Sequence, residues 1–305
     1  MFPTRMLLAS DGSREAANAA RLAIRLSSSL DSDLHLVYVE HMPTFNPASE
    51  PVLMDPELWL MMGEQAEGEA RRRAGDIERE IEEMGGRVAE VHARTGRVDA
   101  EILKLSEEIG AGLVILGSRG MGRLKRAVIG SVSASVVDHA HSSVLVVRGG
   151  GADLPGKILF ATDGSKDAKV ARSAVTELSA ATGSDVYVLY VLETRPYRPF
   201  LGPEAWEGWE ANLERARERA NSFVQLEAAR IKEDGGKVAD AHVVFDDPAP
   251  EIVRLGEDIG ADMIVVGSRG LGGIRRMLLG SVSSSVAAHA NGPVLIVRGG
   301  QESGT

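Results

Sequence analysis

Residues 107–120 read EEIGAGLVILGSRG, and residues 257–270 read EDIGADMIVVGSRG. The first segment opens with the charged end of a helical pattern, turns at Gly110, which suits a helix end, and runs into the unbroken apolar stretch GLVIL. A short apolar run without polar alternation indicates a strand covered on both faces, as in a parallel sheet. Each segment then enters a glycine-rich loop. Residues 117–136, GSRGMGRLKRAVIGSVSASV, and 267–286, GSRGLGGIRRMLLGSVSSSV, agree at twelve of twenty positions, and the glycines 117, 120 and 130 recur at 267, 270 and 280.

The repetition extends over the chain. RMLLASDGS (5–13) matches KILFATDGS (157–165), DLHLVYVEH (33–41) matches DVYVLYVLE (185–193), and SSVLVVRGG (142–150) matches GPVLIVRGG (292–300). The 305 residues therefore read as two domain-sized copies of one unit, 1–150 and 151–305, with GGGADLPG (149–156) as the linker.

Within the first copy, apolar runs at Met6–Ala9, Leu34–Val39, Val88–Ala93, Leu113–Leu116 and Val144–Val147 predict five strands. Helical spacing falls at about 14–30, 63–84, 99–109 and 131–140, with Ser13 and Ser131 as expected N-caps. Strand alternating with helix implies βαβ units with right-handed crossovers, hence two tandem Rossmann-like, doubly wound α/β domains. The second connection is unusually rich in proline. Residues 41–58 hold four prolines, and 194–209 hold three together with Trp206 and Trp209. An ordered surface loop and a lid over a site both fit this composition.

Composition narrows the function. The chain has no cysteine, which removes disulfides and thiolate chemistry and fits a cytoplasmic protein. Its formal net charge of −10 disfavours general nucleic-acid binding. No apolar run is long enough for a membrane span or a signal peptide. The seven histidines are scattered along the chain, so neither a catalytic histidine cluster nor a metal site made of protein ligands alone is expected.

The glycine loop lies between a buried strand and a helix, at the carboxyl edge of the sheet, where open α/β sheets bind ligands. It is neither a dinucleotide GxGxxG after the first strand nor a Walker A loop. Two readings suit it. One is a phosphate cradle built from glycine amides, a helix N-terminus, the Ser131 and Ser133 hydroxyls, and nearby Arg119, Arg123, Lys125, Arg126, Arg269, Arg275 and Arg276. The other is a tight turn beside a solvated basic face. Asp11 and Asp163, in SDGS and TDGS after the first strand of each copy, belong at the same edge. There they could accept a ribose hydroxyl or serve the following helix as a cap.

Both loops fit the pattern G-2x-G-9x-G-[S/T]. With the aspartate after the first strand and the terminal VLVVR strand, the chain resembles the universal stress protein family in its tandem two-domain form. In that family this motif marks the ATP-binding subclass. The resemblance implies a five-stranded parallel sheet of order 3-2-1-4-5 in each copy. It also implies an adenine and ribose pocket of Ala9, Asp11, Val39, Leu116 and Gly117, with phosphates at Gly120, Gly130, Ser131, Val132 and Ser133. In the second copy the corresponding residues are Ala161, Asp163, Val191, Val266, Gly267, Gly270, Gly280, Ser281, Val282 and Ser283. The implied ligand is ATP, with Mg²⁺ carried by its phosphates. The implied role is a nucleotide-dependent stress-response regulator; slow ATP hydrolysis, self-phosphorylation or a scaffold with vestigial sites are the alternatives. The sequence departs from the family where Ala9 and Ala161 replace a proline of some ATP-binding members, and where Asp246 replaces a usual glycine. Asp246 makes the second site the expected weaker one. The apolar final strands, 143–148 and 293–298, are expected to pair with one another inside the chain or across a homodimer.

Overall fold

A computed structural model describes residues 3–42, 56–120, 129–149, 153–193, 203–270 and 279–299. The chain divides into two compact units, Pro3–Leu154 and a second one beginning at Pro155. In the first, the order is β1 (Arg5–Ala9), α1 (Arg14–Leu30), β2 (Asp33–His41), α2 (Pro56–Glu83), β3 (Glu90–Gly96), α3 (Val98–Glu108), β4 (Leu113–Gly117), α4 (Ser131–His139) and β5 (Ser143–Val147). The second repeats it as β6 (Lys157–Ala161), α5 (Lys166–Thr182), β7 (Asp185–Val191), α6 (Pro203–Glu233), β8 (Lys237–Val244), α7 (Pro248–Asp258), β9 (Met263–Gly267), α8 (Ser281–His289) and β10 (Val294–Val297).

The first unit's strands run parallel in the order β3-β2-β1-β4-β5, and the second unit's in the order β8-β7-β6-β9-β10. Both are the 3-2-1-4-5 arrangement. The central strands are apolar at successive residues because helices cover both faces. Met6, Leu7 and Leu8 of β1 and Ile158, Leu159 and Phe160 of β6 are wholly buried. Each such side chain contributes roughly 2 kcal/mol of burial. Among the described residues no helix is long and apolar enough to cross a membrane.

The outer elements depart from the sequence expectations. Strand β3 begins at Glu90, two residues later than Val88, and continues to Gly96. As the outermost strand it is only partly buried and carries polar residues that break the apolar pattern. Helix α2 begins at Pro56 rather than near residue 63, and α6 begins at Pro203, so Trp206 and Trp209 are helical. Proline is favoured in the first turn, where its missing N–H has no partner to lose. The remaining proline-rich residues, 43–55 and 194–202, lie outside the described residues, as do Arg123, Lys125, Arg126, Arg275 and Arg276.

Helix α1 starts at its expected cap, Ser13, and α5 repeats the arrangement with Ser165. The Ser13 and Ser165 hydroxyl oxygens accept the Ala16 and Ala168 N–H groups, each at 3.2 Å. The same hydroxyls donate to the glycine loops, Ser13 to the Arg119 carbonyl at 3.4 Å and Ser165 to the Arg269 carbonyl at 3.0 Å. Ser165→Ala is therefore expected to cost about 2 kcal/mol, one part for the cap and one for the loop bond. Amide exchange in the first turn of α5 measures it, and unchanged protection there would refute the double role.

Candidate functional site at the carboxyl edge of each sheet

In the second unit, a cavity of about 810 Å³ opens at the carboxyl ends of β6, β7 and β9. Ala161 ends β6 and is the register partner of both Leu189 on β7 and Val266 on β9, so the carboxyl ends of the three strands lie at one edge. All ten second-copy residues implied by the resemblance line this cavity: Ala161, Asp163, Val191, Val266, Gly267, Gly270, Gly280, Ser281, Val282 and Ser283.

The loop after β9 is held from below. The Ser268 hydroxyl donates to Asp167 Oδ2 at 2.6 Å, and Arg269 Nε meets the same oxygen at 3.3 Å. The Gly280 N–H donates to the Ser268 carbonyl at 2.8 Å, which joins the residue after β9 to the start of α8. Gly280 (φ −63°, ψ 145°) is the N-cap of α8, with no side-chain cap. This corrects the expectation for the first copy too. There Gly130 caps α4, and Ser131 is the first helical residue. The first N–H groups of a helix have no partner within it. With no capping side chain, the amides of Ser281, Val282 and Ser283 form the first turn at the cavity wall, where the helix dipole favours an anion. A second correction concerns the hydroxyls. Ser133 and Ser283 are buried and donate to the carbonyls of Gly117 (2.8 Å) and Gly267 (2.6 Å), so they brace the turn instead of facing a ligand.

Asp163 bridges both readings of its motif. One oxygen accepts the Ser165 N–H at 3.0 Å, which shapes the turn into α5. The other lies only 2.6 Å from where a Cβ on Gly270 would sit, so the glycine lets the loop pass against the carboxylate. The first unit repeats this. The Ser13 N–H donates to Asp11 at 3.0 Å, and a Cβ on Gly120 would collide with Asp11 Oδ2. Ala9 is the register partner of Val37 and Leu116, Val39 lies two residues further along β2, and Gly117 ends β4. Ser131, Val132 and Ser133 form the first turn of α4.

Sequence reasoning missed Tyr190, Leu192, Pro248 and Ile252, which also line the cavity. Pro248 and Ile252 are four residues apart on α7 and so share a helix face, a spacing visible once α7 is placed. Burial, then the nearby Asp163 charge, raises the Tyr190 pKa and keeps its hydroxyl protonated. In the first unit, burial and the hydrogen bond to Glu40 at 2.8 Å push the corresponding Tyr38 up to about 12. Glu40 stands where the second unit has Leu192. Asp246, by contrast, is not part of the lining and accepts the Asp247 N–H at 2.8 Å. His139 and His289 end α4 and α8 and bond back to the Ser135 and Ser285 carbonyls. His35 and His92 are not scattered in space: their ring nitrogens are 3.2 Å apart.

A fold of this topology with this loop invites comparison with known proteins. The model of the universal stress protein family matches residues 3–148 and again 155–298. The chain belongs to the universal stress protein family. A universal stress protein of Mycolicibacterium smegmatis is 31% identical over 303 residues, which cover 96% of both chains. One from Mycobacterium tuberculosis is 28% identical over 270 residues, covering 85% of this chain and 86% of the relative. The crystal structure of a universal stress protein from Archaeoglobus fulgidus superposes with a TM-score of 0.67 at 21% identity, over 97% of this chain and 98% of that one. The fold is thus shared along the whole tandem universal stress protein.

Proposed function

We propose that this universal stress protein is an ATP-binding regulator, with one adenine-nucleotide site at the carboxyl edge of each sheet. The observation that carries the reading is the second unit's cavity, where the uncapped first turn of α8 and Asp163 border one space. Its volume of about 810 Å³ falls within the usual range of ligand pockets. The residues fit the ligand in kind. Ala161, Val191 and Val266 offer apolar surface for the base. Asp163 offers an acceptor for the ribose. The amides of Ser281, Val282 and Ser283 offer donors for phosphate, beside a loop that the absent Cβ of Gly270 leaves open. Ala9, Asp11, Val39, Leu116 and the Gly120 and Gly130–Ser133 segments play the same parts in the first unit. Mg²⁺ would arrive with the phosphates and neutralise part of their charge. The carboxylates described in the cavity lining are Asp163 and Glu193, and no histidine is among that lining. Binding requires only the donors, the acceptor and the apolar surface named here, and we assign it as the function.

Calorimetric titration of the nucleotide-stripped chain with ATP and Mg²⁺ tests this. Saturable uptake of two equivalents is expected. Absence of heat at millimolar ATP would return the loops to a structural role.

A further inference from the structure

We propose that His35, Glu90 and His92 form a site for one divalent transition-metal ion of the zinc class, on the sheet face of the first unit that α3 covers. The pairing of β2 with β3 assembles it. In their parallel register His35 is opposite Glu90 and Val37 is opposite His92. Residues two apart on a strand share a face, so Glu90, His92 and Arg94 project together. Arg94 reaches Glu108 at the end of α3 at 2.6 Å, which places this face under α3. Tyr38, of opposite parity to His35 on β2, instead senses Glu69 and Arg73 of α2.

The distances suit coordination. His35 Nδ1 and His92 Nε2 are 3.2 Å apart. Two nitrogens at zinc bond length in a tetrahedral shell would be about 3.3 Å apart. Glu90 Oε2 lies 3.8 Å from the first nitrogen and 3.7 Å from the second. It must approach by roughly half an ångström to complete a tetrahedral edge. Its side chain is 62% exposed and has room to do so, whereas the two imidazoles are each 10% exposed and held in place. Two neutral imidazoles and a carboxylate suit zinc and its transition-row neighbours better than Mg²⁺ or Ca²⁺, which prefer all-oxygen shells. The Arg94 charge alongside is paired with Glu108, so it does not oppose a cation unbalanced.

The second unit supplies an internal control. Tyr187, Asp240 and His242 hold the corresponding places in β7 and β8, giving one imidazole instead of two. One ion per chain follows, not two. The cluster also lies near the amino ends of its strands, whereas Val39 and the nucleotide-site residues lie at the carboxyl ends, so the site does not depend on the ATP reading.

The test is titration of the tag-free, EDTA-stripped full-length chain with Zn²⁺ against a chromogenic chelator, and with Co²⁺ followed by its visible absorption. One equivalent is expected, with the intense spectrum of tetrahedral cobalt. Loss of a direct ligand should exceed the roughly 10–100-fold cost of losing an outer-shell partner. His35→Phe should therefore abolish uptake, and the exposed Glu90→Gln, which leaves the core untouched, should weaken it by more than tenfold. ATP titration of Glu90→Gln should match the parent chain. No stoichiometric uptake by the parent chain would overturn the site. So would uptake that both substitutions leave unchanged, which would mean a simple histidine–histidine hydrogen bond.

Discussion

Replacing Ser131 and Ser281 together by proline is expected to weaken ATP binding at both units by roughly tenfold to a hundredfold without lowering thermal stability. Each serine is the first residue of its helix, the position where proline is best tolerated. The preceding residues already have the extended backbone that proline demands of its neighbour: Gly130 at φ −65°, ψ 154° and Gly280 at φ −63°, ψ 145°. The substitution thus deletes one amide hydrogen and leaves the helix start intact. A hydrogen bond to a charged group is worth about 1.5–3 kcal/mol, and each 1.4 kcal/mol is a factor of ten in affinity. Serine to alanine at the same positions keeps the N–H and removes only an exposed hydroxyl, so it should bind nearly as the parent does. Calorimetry on the two double variants separates the amide from the side chain. If the proline variant binds normally while folded, phosphate does not meet the helix terminus, and the nucleotide reading loses its central contact.

How much of this could be read beforehand varied with burial. Strands β1, β4 and β5 announce themselves because both faces are covered and nearly every residue is apolar. Strand β3 lies at the rim, so Glu90, His92 and Arg94 break its apolar pattern, and only pairing with β2 defines its limits. The starts of α2 and α6 were hidden for a related reason. A proline inside a proline-rich stretch reads as loop, although Pro56 and Pro203 each open a helix. At the candidate site, the glycine spacing marked the loop, and the family resemblance named the ten positions that border one cavity. The roles of individual side chains were not legible. That Ser283 bonds inward to Gly267, or that His35 meets His92 across 57 residues, follows from tertiary packing alone.

The glycines of the motif divide in the same way, and two single substitutions should show it. Gly267→Ala is expected to destabilise the second unit by about 3 kcal/mol, because packing backbone against backbone leaves nothing to relax. A Cβ at this residue would lie 2.8 Å from the Ala168 nitrogen and 2.9 Å from the Asp167 carbonyl carbon, both main-chain atoms of the first turn of α5. That turn is tied to the loop through Ser268 and Asp167, so it cannot move off β9 without breaking a buried hydrogen bond. The entropic benefit of replacing glycine, about 0.4–1 kcal/mol, is too small to offset this. Gly270→Ala meets a different obstacle. Its Cβ would approach Asp163 Oδ2 at 2.6 Å, and a carboxylate can turn aside where a backbone cannot. The cost to folding should stay near 1 kcal/mol, the worth of the disturbed Asp163 bond to Ser165. ATP affinity of the second unit should nevertheless fall, since Asp163 leaves the place from which it faces the cavity. Urea midpoints and ATP titrations of the two variants decide the matter. A Gly267→Ala chain as stable as the parent would refute the packing role. A Gly270→Ala chain with full ATP affinity would remove Asp163 from the site.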